Sequence, residues 1–408
     1  MEYPHISVQL GNETTDIFKN ENNVIANKEI MNQPQLNLGF NYFTHIIKNK
    51  LDDPNYKKKL ESNYKYKYLI NPFEHSISIK HTDFQDINNS TIKQLKIKDK
   101  ISSRSFFKMW EMLNDYNLID ENNKNFNSFH MAEAPGGFIQ ATIIYNDKYL
   151  KNPNNSKFFG ISIANEIKFS SDLQKQYGTG SNRRFFQFKN TSTMDGDVTK
   201  MDIIKVIKQG FTKEQPDLIT ADGGFDPMNE NYHEQESYML ILGEIFTAVS
   251  IQKKGGHFVC KFLDMYTNFT IKLVYLISSF YNNVTLYKPY TSRQSNSERY
   301  VIAKDFKYSR NDKEYKDRYD KFTKIFVDCK KEFDNGNNLV DIFTDFIIPN
   351  IYKAKIANYN NIIGLNQYQN INNRLQYFRS LNLEGDEFKK YSKIQEESTA
   401  FWVDKYLK

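Results

Sequence analysis

The chain has 408 residues and carries 55 Lys and Arg against 49 Asp and Glu, which gives a net charge of +6. Aromatic residues make up 15% of it, a fraction that excludes an intrinsically disordered chain because such chains lack the rings that build a core. Two cysteines are too few for a disulfide framework or a cysteine-based zinc site. The mild positive charge permits a nucleic-acid partner without arguing strongly for one.

Neither a membrane-spanning nor a secretory segment is visible. No stretch reaches the roughly 18 apolar residues of a membrane span. Residues 1–18 include Glu2 and Asp16 and have no apolar signal region. We therefore expect an intracellular protein without a membrane anchor, located in the cytoplasm or, for a viral protein, packaged in the virion.

Residues 1–95 form a predicted N-terminal extension that is rich in Asn, Lys and Tyr. A basic run with interleaved tyrosines extends through it from Lys48 to Tyr68. Lysines can hold phosphates while bases stack on neighbouring rings, so one interpretation is contact with RNA. The alternative is a solvated surface in a chain biased toward Asn and Lys.

A predicted domain over residues 96–307 begins with a helix, in which Phe106 and Trp110 recur at helical spacing. Ser102 or Ser103 could cap this helix. Seven short apolar segments then have the length and composition of strands: 129–132, 158–163, 185–188, 218–221, 258–262, 284–287 and 300–303.

Helical patterns separate several of these strands, including 239–249 and 270–280. Alternating strands and helices predict an α/β fold with a doubly wound, mostly parallel seven-stranded sheet. Such a sheet binds ligands at the carboxyl ends of its strands, so residues just after each strand should carry the chemistry.

Residues 308–408 form a predicted, mostly helical C-terminal extension. Aromatic and apolar residues at intervals of three and four predict a helix packed against a core: Tyr319, Phe322, Phe326, Cys329 and Phe333. The segment 366–373 is dense in Asn and Gln and is predicted to be a loop or an exposed turn.

The sequence AEAPGGF at residues 132–138 follows the first predicted strand and opens a helix. Its two glycines allow a tight turn and close approach to a ligand, and the helix N-terminus offers N–H groups to a carboxylate or phosphate. The glycine spacing matches neither the dinucleotide fingerprint nor the P-loop, so hydride and phosphoryl transfer lose support. The alternative to a ligand-binding turn is an ordinary Pro-Gly-Gly turn without a ligand.

Charged residues follow several other predicted strands. Asp197 and Asp222 can accept hydrogen bonds from an adenine amino group or a ribose hydroxyl, although Asp is also an ordinary turn residue. Lys261 lies at the end of the fifth strand. It is either an ordinary lysine at the solvent-exposed edge of the sheet or a lysine in the ligand crevice, where burial or a cationic neighbour would lower its pKa. Glu298 lies two residues before the last strand.

Together these segments resemble the FtsJ-like, S-adenosylmethionine-dependent RNA 2′-O-methyltransferases. The matching sequences are SRSFFK at 103–108, APGGF at 134–138, Asp222, GGHFVCK at 255–261 and SERYV at 297–301. The resemblance spans about residues 96–307 and implies a Rossmann-like methyltransferase fold. It also implies a catalytic Lys-Asp-Lys-Glu tetrad, which falls on Lys108, Asp222, Lys261 and Glu298.

The sequences ADGGF at 221–225 and DGDVT at 195–199 are similar to the cap-specific mRNA branch of this family, found in eukaryotes and large DNA viruses. The implied reaction is methylation of the cap-proximal ribose of mRNA, with other mRNA-capping proteins as partners. The acid that many methyltransferases place after the second strand is missing from 160–165. A ribosomal or transfer RNA 2′-O-methyltransferase and a non-catalytic RNA-binding subunit are the alternatives.

The resemblance also assigns binding roles. S-adenosyl-L-methionine is expected to contact the turn after the first strand and two aspartates: Glu133, Ala134, Pro135, Gly136, Gly137, Phe138, Asp197 and Asp222. RNA phosphates are expected at four basic residues: Arg104, Lys288, Arg293 and Arg299. Arg299 is alternatively a structural partner of a carboxylate. No cluster of His, Cys and Asp has metal-ligand spacing, so no metal site is predicted.

Within the tetrad, Lys261 is expected to act as the base or as the cation that stabilises the developing alkoxide. A nearby Lys108 would lower the pKa of Lys261, whereas Asp222 and Glu298 would raise it. The sequence leaves open which influence dominates.

Overall fold

The computed structural model describes residues 4–11, 15–20, 23–51, 53–55, 58, 67–78, 86–98, 100–163, 168–181, 183–188, 195–225, 227–380 and 385–408. Most of the tyrosine-rich basic run, including residues 59–66, lies outside these ranges.

A mixed eight-stranded sheet forms the centre of the molecule, and a two-stranded sheet lies apart from it. The strands are β1 Ser7–Gln9, β2 Val24–Asn27, β3 Asn127–Met131, β4 Lys157–Ile161, β5 Phe185–Gln187, β6 Leu218–Ala221, β7 His257–Phe262, β8 Tyr281–Tyr287, β9 Arg299–Phe306 and β10 Asn338–Ile342. The order in the large sheet is β1-β8-β9-β7-β6-β3-β4-β5, and β2 pairs with β10. Strands β3 to β7 pair in parallel, whereas β9 is antiparallel to β7 and β8, and β1 is antiparallel to β8.

This architecture confirms the predicted doubly wound, mostly parallel sheet and contains all seven predicted strands. The prediction missed β1, which adds an eighth strand to the large sheet. Because β1 has only three residues and its side chains are not fully buried, it leaves no apolar run in the sequence. After β3 the chain builds β4 and β5 on one side and then returns to β6 on the other. The reversal opens a crevice at the carboxyl ends of β3 and β6.

Fourteen α-helices are formed by the described residues: α1 Leu38–Leu51, α2 Lys67–Ile70, α3 Glu74–Ser78, α4 Ile87–Gln94, α5 Ser105–Tyr116, α6 Gly137–Tyr149, α7 Ser171–Tyr177, α8 Met201–Gly210, α9 His233–Glu236, α10 Tyr238–Ile251, α11 Asn268–Phe280, α12 Lys313–Asp334, α13 Asn350–Ser380 and α14 Asp386–Tyr406. Short 3₁₀ turns occur at Pro153–Asn155 and Glu230–Tyr232. Among the described helices, none is long and apolar enough to cross a membrane.

Helices cover both faces of the sheet. One apolar cluster packs α5, α6, α7 and α14 against the sheet, and Trp110 and Trp402 are both fully buried in it. The other cluster contains α8, α10, α11, α12 and α13. Both extensions therefore contribute to the same cores as the central sheet.

The helical character of the C-terminal extension is confirmed, with β10 as an addition. Phe322, Phe326 and Cys329 of α12 are fully buried, whereas Phe333 is 46% exposed at the end of the stripe. The ring of Phe326 stacks on Phe246 of α10 with 4.6 Å between ring centroids.

Two local predictions were wrong. Residues 366–373 lie inside α13 rather than in a loop, and two of their side-chain NH₂ groups bond to other segments: Gln367 donates to the Ser295 carbonyl oxygen, and Asn370 donates to the carbonyl oxygens of Leu69 and Ile70. Neither Ser102 nor Ser103 caps α5. Its N-cap is Arg104, which makes no side-chain capping hydrogen bond.

The packing of α12 predicts how shortening one of its side chains affects stability. Replacing Phe326 with Ala should lower the free energy of unfolding by about 3–5 kcal/mol, because the change leaves a cavity between α10 and α12. Phe333→Ala on the same helix is the control and should cost less than about 1 kcal/mol, since that ring is half exposed. Urea denaturation of both variants measures the difference, and equal losses would contradict the packing described.

Candidate active site

The four predicted tetrad residues converge at the carboxyl edge of the sheet. Asp222 directly follows β6, and Lys261 is the second-last residue of the neighbouring β7. Glu298 directly precedes β9, which pairs with β7 so that Tyr300 lies opposite Lys261. Lys108 reaches the same place from the first turn of α5. Residues from four separate segments thus meet at one point.

The first pair in the site is Lys108 and Glu298. The Lys108 ammonium lies 2.7 Å from Oε1 and 2.8 Å from Oε2 of Glu298, and Ser292 donates to Oε1 at 2.8 Å. Burial alone would raise the pKa of Glu298, but Lys108, Lys261 and Lys288 outweigh it and hold the pKa well below its ordinary value. Glu298 is therefore a carboxylate.

The second pair is Lys261 and Asp222. The Lys261 ammonium donates to the Asp222 carbonyl oxygen at 2.8 Å and lies 3.3 Å from Oδ1. The Tyr300 hydroxyl donates to the same Oδ1 at 3.0 Å, and Lys108 Nζ lies 6.0 Å from the centre of the Tyr300 ring. Tyr300 thus lies between the two pairs. Its contact with Asp222 was missed from the sequence, although the residue is part of the SERYV segment.

The charges around Lys261 answer the question that the sequence left open. Burial lowers the pKa of Lys261, but the carboxylates of Asp222, Glu298 and Glu244 raise it, and the result lies above the ordinary value. Of the opposing influences expected on this pKa, that of the acids dominates, because three of them act on Lys261. In this structure Lys261 is an ammonium ion.

The turn after β3 has the tight geometry predicted for it. Gly136 has φ +111°, and a Cβ there would lie 2.7 Å from Leu173 Cδ2. A Cβ on Gly137 would lie 2.1 Å from Ser105 Oγ, so only glycine allows α6 to begin this close to α5.

Glu133 occupies part of the helix N-terminus that was expected to face a ligand. Its Oε1 accepts the Phe138 N–H at 2.8 Å, while its Oε2 is buried and has no hydrogen-bond partner. Burial and the charge of Asp222 raise the pKa of Glu133 well above its ordinary value. This unpartnered oxygen is available for a hydrogen bond with a ligand hydroxyl or amino group.

Asp197 lies beside the end of β4, where a Cβ on Gly196 would be 2.2 Å from the Ser162 carbonyl oxygen. Its Oδ1 accepts the Thr199 N–H at 2.9 Å and the Thr199 hydroxyl at 2.7 Å. Its Oδ2 has a longer contact, 3.6 Å to Lys200 Nζ, and is therefore the oxygen more available to a ligand. In the segment 160–165, which lacks the further acid expected after β4, residues 164 and 165 lie outside the described ranges.

Two of the four basic residues expected to bind RNA are inside the protein. Lys288 is 4% exposed and donates to Ser292 Oγ, to the carbonyl and Oδ1 of Asn296, and to the Glu298 carbonyl oxygen. Arg299 is fully buried and donates to the Ser297 carbonyl oxygen and Asn360 Oδ1. Their burial contradicts the predicted phosphate contacts. Arg299 has the structural role that was the alternative, with an amide as its hydrogen-bonded partner.

The other two basic residues share one carboxylate from the N-terminal extension. Arg104 donates to both oxygens of Glu74 at 2.6 and 2.8 Å, and Arg293 donates to Oε1 at 3.1 Å. Burial would raise the pKa of Glu74, but the two guanidinium groups lower it to about 2. The side chain of Arg293 remains 48% exposed, so its contact with RNA stays a prediction.

Glu244 is a buried acid behind the tetrad that the sequence interpretation missed. A Cβ on Gly223 would lie 2.2 Å from Glu244 Oε1, and the Cys260 thiol donates to Oε2 at 3.6 Å. Burial raises the pKa of Glu244 to about 8, although Lys261 lowers it in part. A single acid within the apolar helix YMLILGEIFTAVSI is the sequence signal that could have identified it.

The raised pKa of Glu244 predicts a pH-dependent effect on stability. The folded protein holds the Glu244 proton more tightly than the unfolded chain does, so this stabilising contribution is lost as the pH rises from about 4.5 to about 8. Glu244→Gln keeps a neutral group there, so its stability relative to the wild type should improve across this range by a few kcal/mol, about 1.4 kcal/mol per unit of pKa difference. Urea denaturation of both proteins at pH 5, 6.5 and 8 measures the difference. A constant difference would mean that Glu244 titrates normally.

Comparison with known proteins identifies the family of the chain. The FtsJ-like methyltransferase family model matches residues 101–306, half of the chain. Cap-specific mRNA (nucleoside-2′-O-)-methyltransferase 1A of Caenorhabditis briggsae is 32% identical over 191 residues, which are 46% of this chain and 21% of that protein. Inactive cap-specific mRNA (nucleoside-2′-O-)-methyltransferase 1B of the same organism is 30% identical over 234 residues, covering 53% of this chain and 27% of that protein.

The chain thus spans about a fifth to a quarter of the length of these curated relatives. Among solved structures, a ribosomal RNA methyltransferase from Plasmodium falciparum is 20% identical and aligns with 50% of this chain and 98% of that chain at a TM-score of 0.37. The family match, which includes all four tetrad positions and the turn after β3, shows that the chain belongs to the FtsJ-like methyltransferase family.

Proposed function

We propose that this chain transfers the methyl group of S-adenosyl-L-methionine to a ribose 2′-hydroxyl of RNA, at the cap-proximal nucleotide of mRNA. The observation that carries the proposal is the convergence of Lys108, Asp222, Lys261 and Glu298 in two neighbouring ion pairs. The cap-specific names of the curated relatives support the choice of mRNA. Capped mRNA and other mRNA-capping proteins are its proposed partners, in the cytoplasm or in a virion.

The residues present fit the cofactor. The Gly136 turn brings backbone close to the crevice, and the buried, unpartnered Oε2 of Glu133 offers an acceptor there. We assign the turn to the methionine part of S-adenosyl-L-methionine, Asp197 to the adenine and Asp222 to the positive end. When bound, the cofactor supplies an electrophilic methyl group on a sulfonium. The protein must then place a ribose hydroxyl in line with that group.

Of the two roles expected for Lys261, base or stabilising cation, it is better suited to that of the cation. Because the neighbouring acids, Asp222 first, raise its pKa, Lys261 keeps its proton and does not take the proton of the ribose hydroxyl. As an ammonium, it can donate a hydrogen bond to the 2′-oxygen and stabilise the negative charge that develops there as the methyl–sulfur bond breaks and the hydroxyl proton passes to solvent. Asp222 and Tyr300 orient Lys261, while Glu298 holds Lys108 within the same cluster.

Burial strengthens these interactions. The side chains of Lys108 and Glu298 are 11% and 10% exposed, and those of Lys261 and Asp222 are 14% and 15% exposed. Water is therefore largely excluded from the charged groups, which increases the electrostatic effect of each. The remaining exposure leaves an opening through which a ribose can approach.

A non-catalytic RNA-binding subunit is the second candidate, since one relative is named inactive. The two complete ion pairs favour catalysis, because burying four charged groups is costly unless the arrangement has a use beyond stability. Methylation of ribosomal or transfer RNA is the nearest alternative within the same chemistry.

A substitution at Lys261 tests the catalytic assignment. Lys261→Ala should reduce the rate of methyl transfer by about 10²-fold or more, since it removes the charge facing the reacting oxygen. Its affinity for S-adenosyl-L-methionine in a calorimetric titration should stay within about threefold of the wild type. The control is Lys253→Ala, which removes a half-exposed lysine paired with Asp217 near the amino end of β7 and should leave both quantities unchanged. Substantial residual activity in Lys261→Ala would remove Lys261 from its assigned role.

A separate experiment tests the substrate. Purified protein is incubated with S-adenosyl-L-methionine carrying a labelled methyl group and with capped and uncapped RNAs of identical sequence. We expect transfer to the first or second ribose after the cap and at least about tenfold less transfer to uncapped RNA. Equal transfer to both RNAs would contradict cap specificity while leaving the 2′-O-methylation chemistry intact. Failure of the protein to bind S-adenosyl-L-methionine would favour the non-catalytic subunit.

A further inference from the structure

The loop between β8 and β9, residues 288–298, carries Glu298 and is irregular. Its backbone makes only isolated turn hydrogen bonds within the loop, such as Ser292 N–H to the Pro289 carbonyl oxygen. Inside the loop, the Lys288 ammonium donates to Ser292, Asn296 and the Glu298 carbonyl oxygen, so the loop is internally braced. Its placement against α5 depends in addition on contacts that other elements make with it. Both extensions supply such contacts.

Glu111 provides the central contact. It lies on α5, three residues after Lys108, and is fully buried. Its carboxylate accepts five hydrogen bonds, all from neutral groups: Thr291 N–H at 3.0 Å, Thr291 Oγ1–H at 2.7 Å, Tyr290 N–H at 2.6 Å, Tyr287 O–H at 3.1 Å and Trp402 Nε1–H at 3.0 Å. Three of these donors belong to the 288–298 loop. One helix therefore carries both the cation that pairs with Glu298 and the acceptor that holds its loop.

Trp402 brings the C-terminal extension into this network. It lies on α14, is fully buried, and donates to the same Glu111 oxygen as Thr291. No cation contributes a hydrogen bond to Glu111 among the described residues, and burial raises its pKa to about 7 although the neutral donors lower it in part. Removing one donor leaves a buried acceptor undersatisfied, and this effect is transmitted to the loop.

Asn71 contacts the same loop from the N-terminal extension. It is 1% exposed, and its Nδ2 donates to the carbonyl oxygens of Tyr290 at 3.0 Å and Ser292 at 2.7 Å. Gln395 of α14 donates to the Asn71 carbonyl oxygen at 2.9 Å, which links the two extensions directly. Asn71 thus holds the carbonyl groups of Tyr290 and Ser292, whereas Glu111 holds the N–H groups of Tyr290 and Thr291 and the Thr291 hydroxyl, so the two residues meet at Tyr290.

We propose that Glu111, Asn71 and Trp402 form a clamp that positions Glu298 against Lys108, so that both extensions belong to the catalytic unit. The proposal rests on the proposed function, because it assigns the clamp a role in methyl transfer. The clamp residues do not touch the reacting atoms and act through the 288–298 loop. Ser292 connects the clamp to the tetrad, since it is held by Asn71 through its carbonyl oxygen and donates through its hydroxyl to Glu298.

The two tryptophans of the chain provide a matched pair of variants. Trp402→Phe keeps a buried ring but removes the Nε1–H donor to Glu111. Trp110→Phe removes the corresponding donor of another fully buried indole, which bonds to the Tyr406 carbonyl oxygen at 3.0 Å rather than to Glu111. Both variants lose one buried hydrogen bond, and only Trp402→Phe weakens the clamp.

We expect Trp402→Phe to lower kcat about tenfold at unchanged KM for S-adenosyl-L-methionine, whereas Trp110→Phe should keep kcat within about twofold. In a Glu298→Gln background, Trp402→Phe should have no further effect, because it acts through Glu298. Equal effects of the two tryptophan variants, or an equal loss from Trp402→Phe in both backgrounds, would overturn the clamp. If Trp402→Phe does not fold, Glu111→Gln takes its place in the same comparison.

Hydrogen exchange gives a readout that does not depend on activity. Backbone amides of residues 290–298 should exchange at least about tenfold faster in Trp402→Phe than in Trp110→Phe, because the loop opens more often without its anchor. Equal exchange in the two variants would overturn the clamp even if the enzyme were active. A wild-type protein that transfers no methyl group would instead contradict the proposed function, and the exchange comparison would still decide whether the clamp holds the loop.

Discussion

Mutual compensation of buried charges is the constraint on which this structure depends. Lys108, Glu298, Lys261 and Asp222 are all largely removed from water, and an unpaired charge in such a place costs several kcal/mol. Each therefore needs its partner at a fixed distance. The pairing of β6 with β7 and of β7 with β9 places Asp222 and Glu298 on either side of Lys261, and α5 brings in Lys108. Small errors in these elements would separate the pairs, so the cores on both faces of the sheet support one small cluster.

Two further acids lie near the two ion pairs of the tetrad, and their surroundings differ from those of Glu298. Glu133 and Glu244 are buried near Asp222, and burial raises the pKa of each. Glu298 is equally buried, yet its pKa is lowered because three lysines surround it. The site thus has a side rich in acids next to the turn after β3 and a side rich in lysines next to the 288–298 loop.

Much of the fold could be predicted from the sequence because its signals are local. Apolar runs marked all seven strands of the methyltransferase sheet, and strand-end positions were enough to bring Asp222, Lys261 and Glu298 to one edge. The roles of basic residues were harder to predict, because they depend on partners far away in the chain. Arg293 meets Glu74 across 219 positions and Arg299 meets Asn360 across 61, and no pattern in the sequence encodes either contact. The same applies to residues 366–373, because the side-chain NH₂ groups of Gln367 and Asn370 meet their acceptors only after α2 and the 288–298 loop have packed against α13.

Strand β1 has a consequence for how the molecule behaves beside copies of itself. By pairing with β8, it moves the edge of the large sheet from a seven-residue strand to a three-residue one. The opposite edge is β5, which also has three residues. A short edge exposes few unpaired backbone groups, so another extended chain gains little by adding to it. The N-terminal strand therefore protects the sheet from edge-to-edge association, a hazard for any chain that builds so much of its structure on one wide sheet.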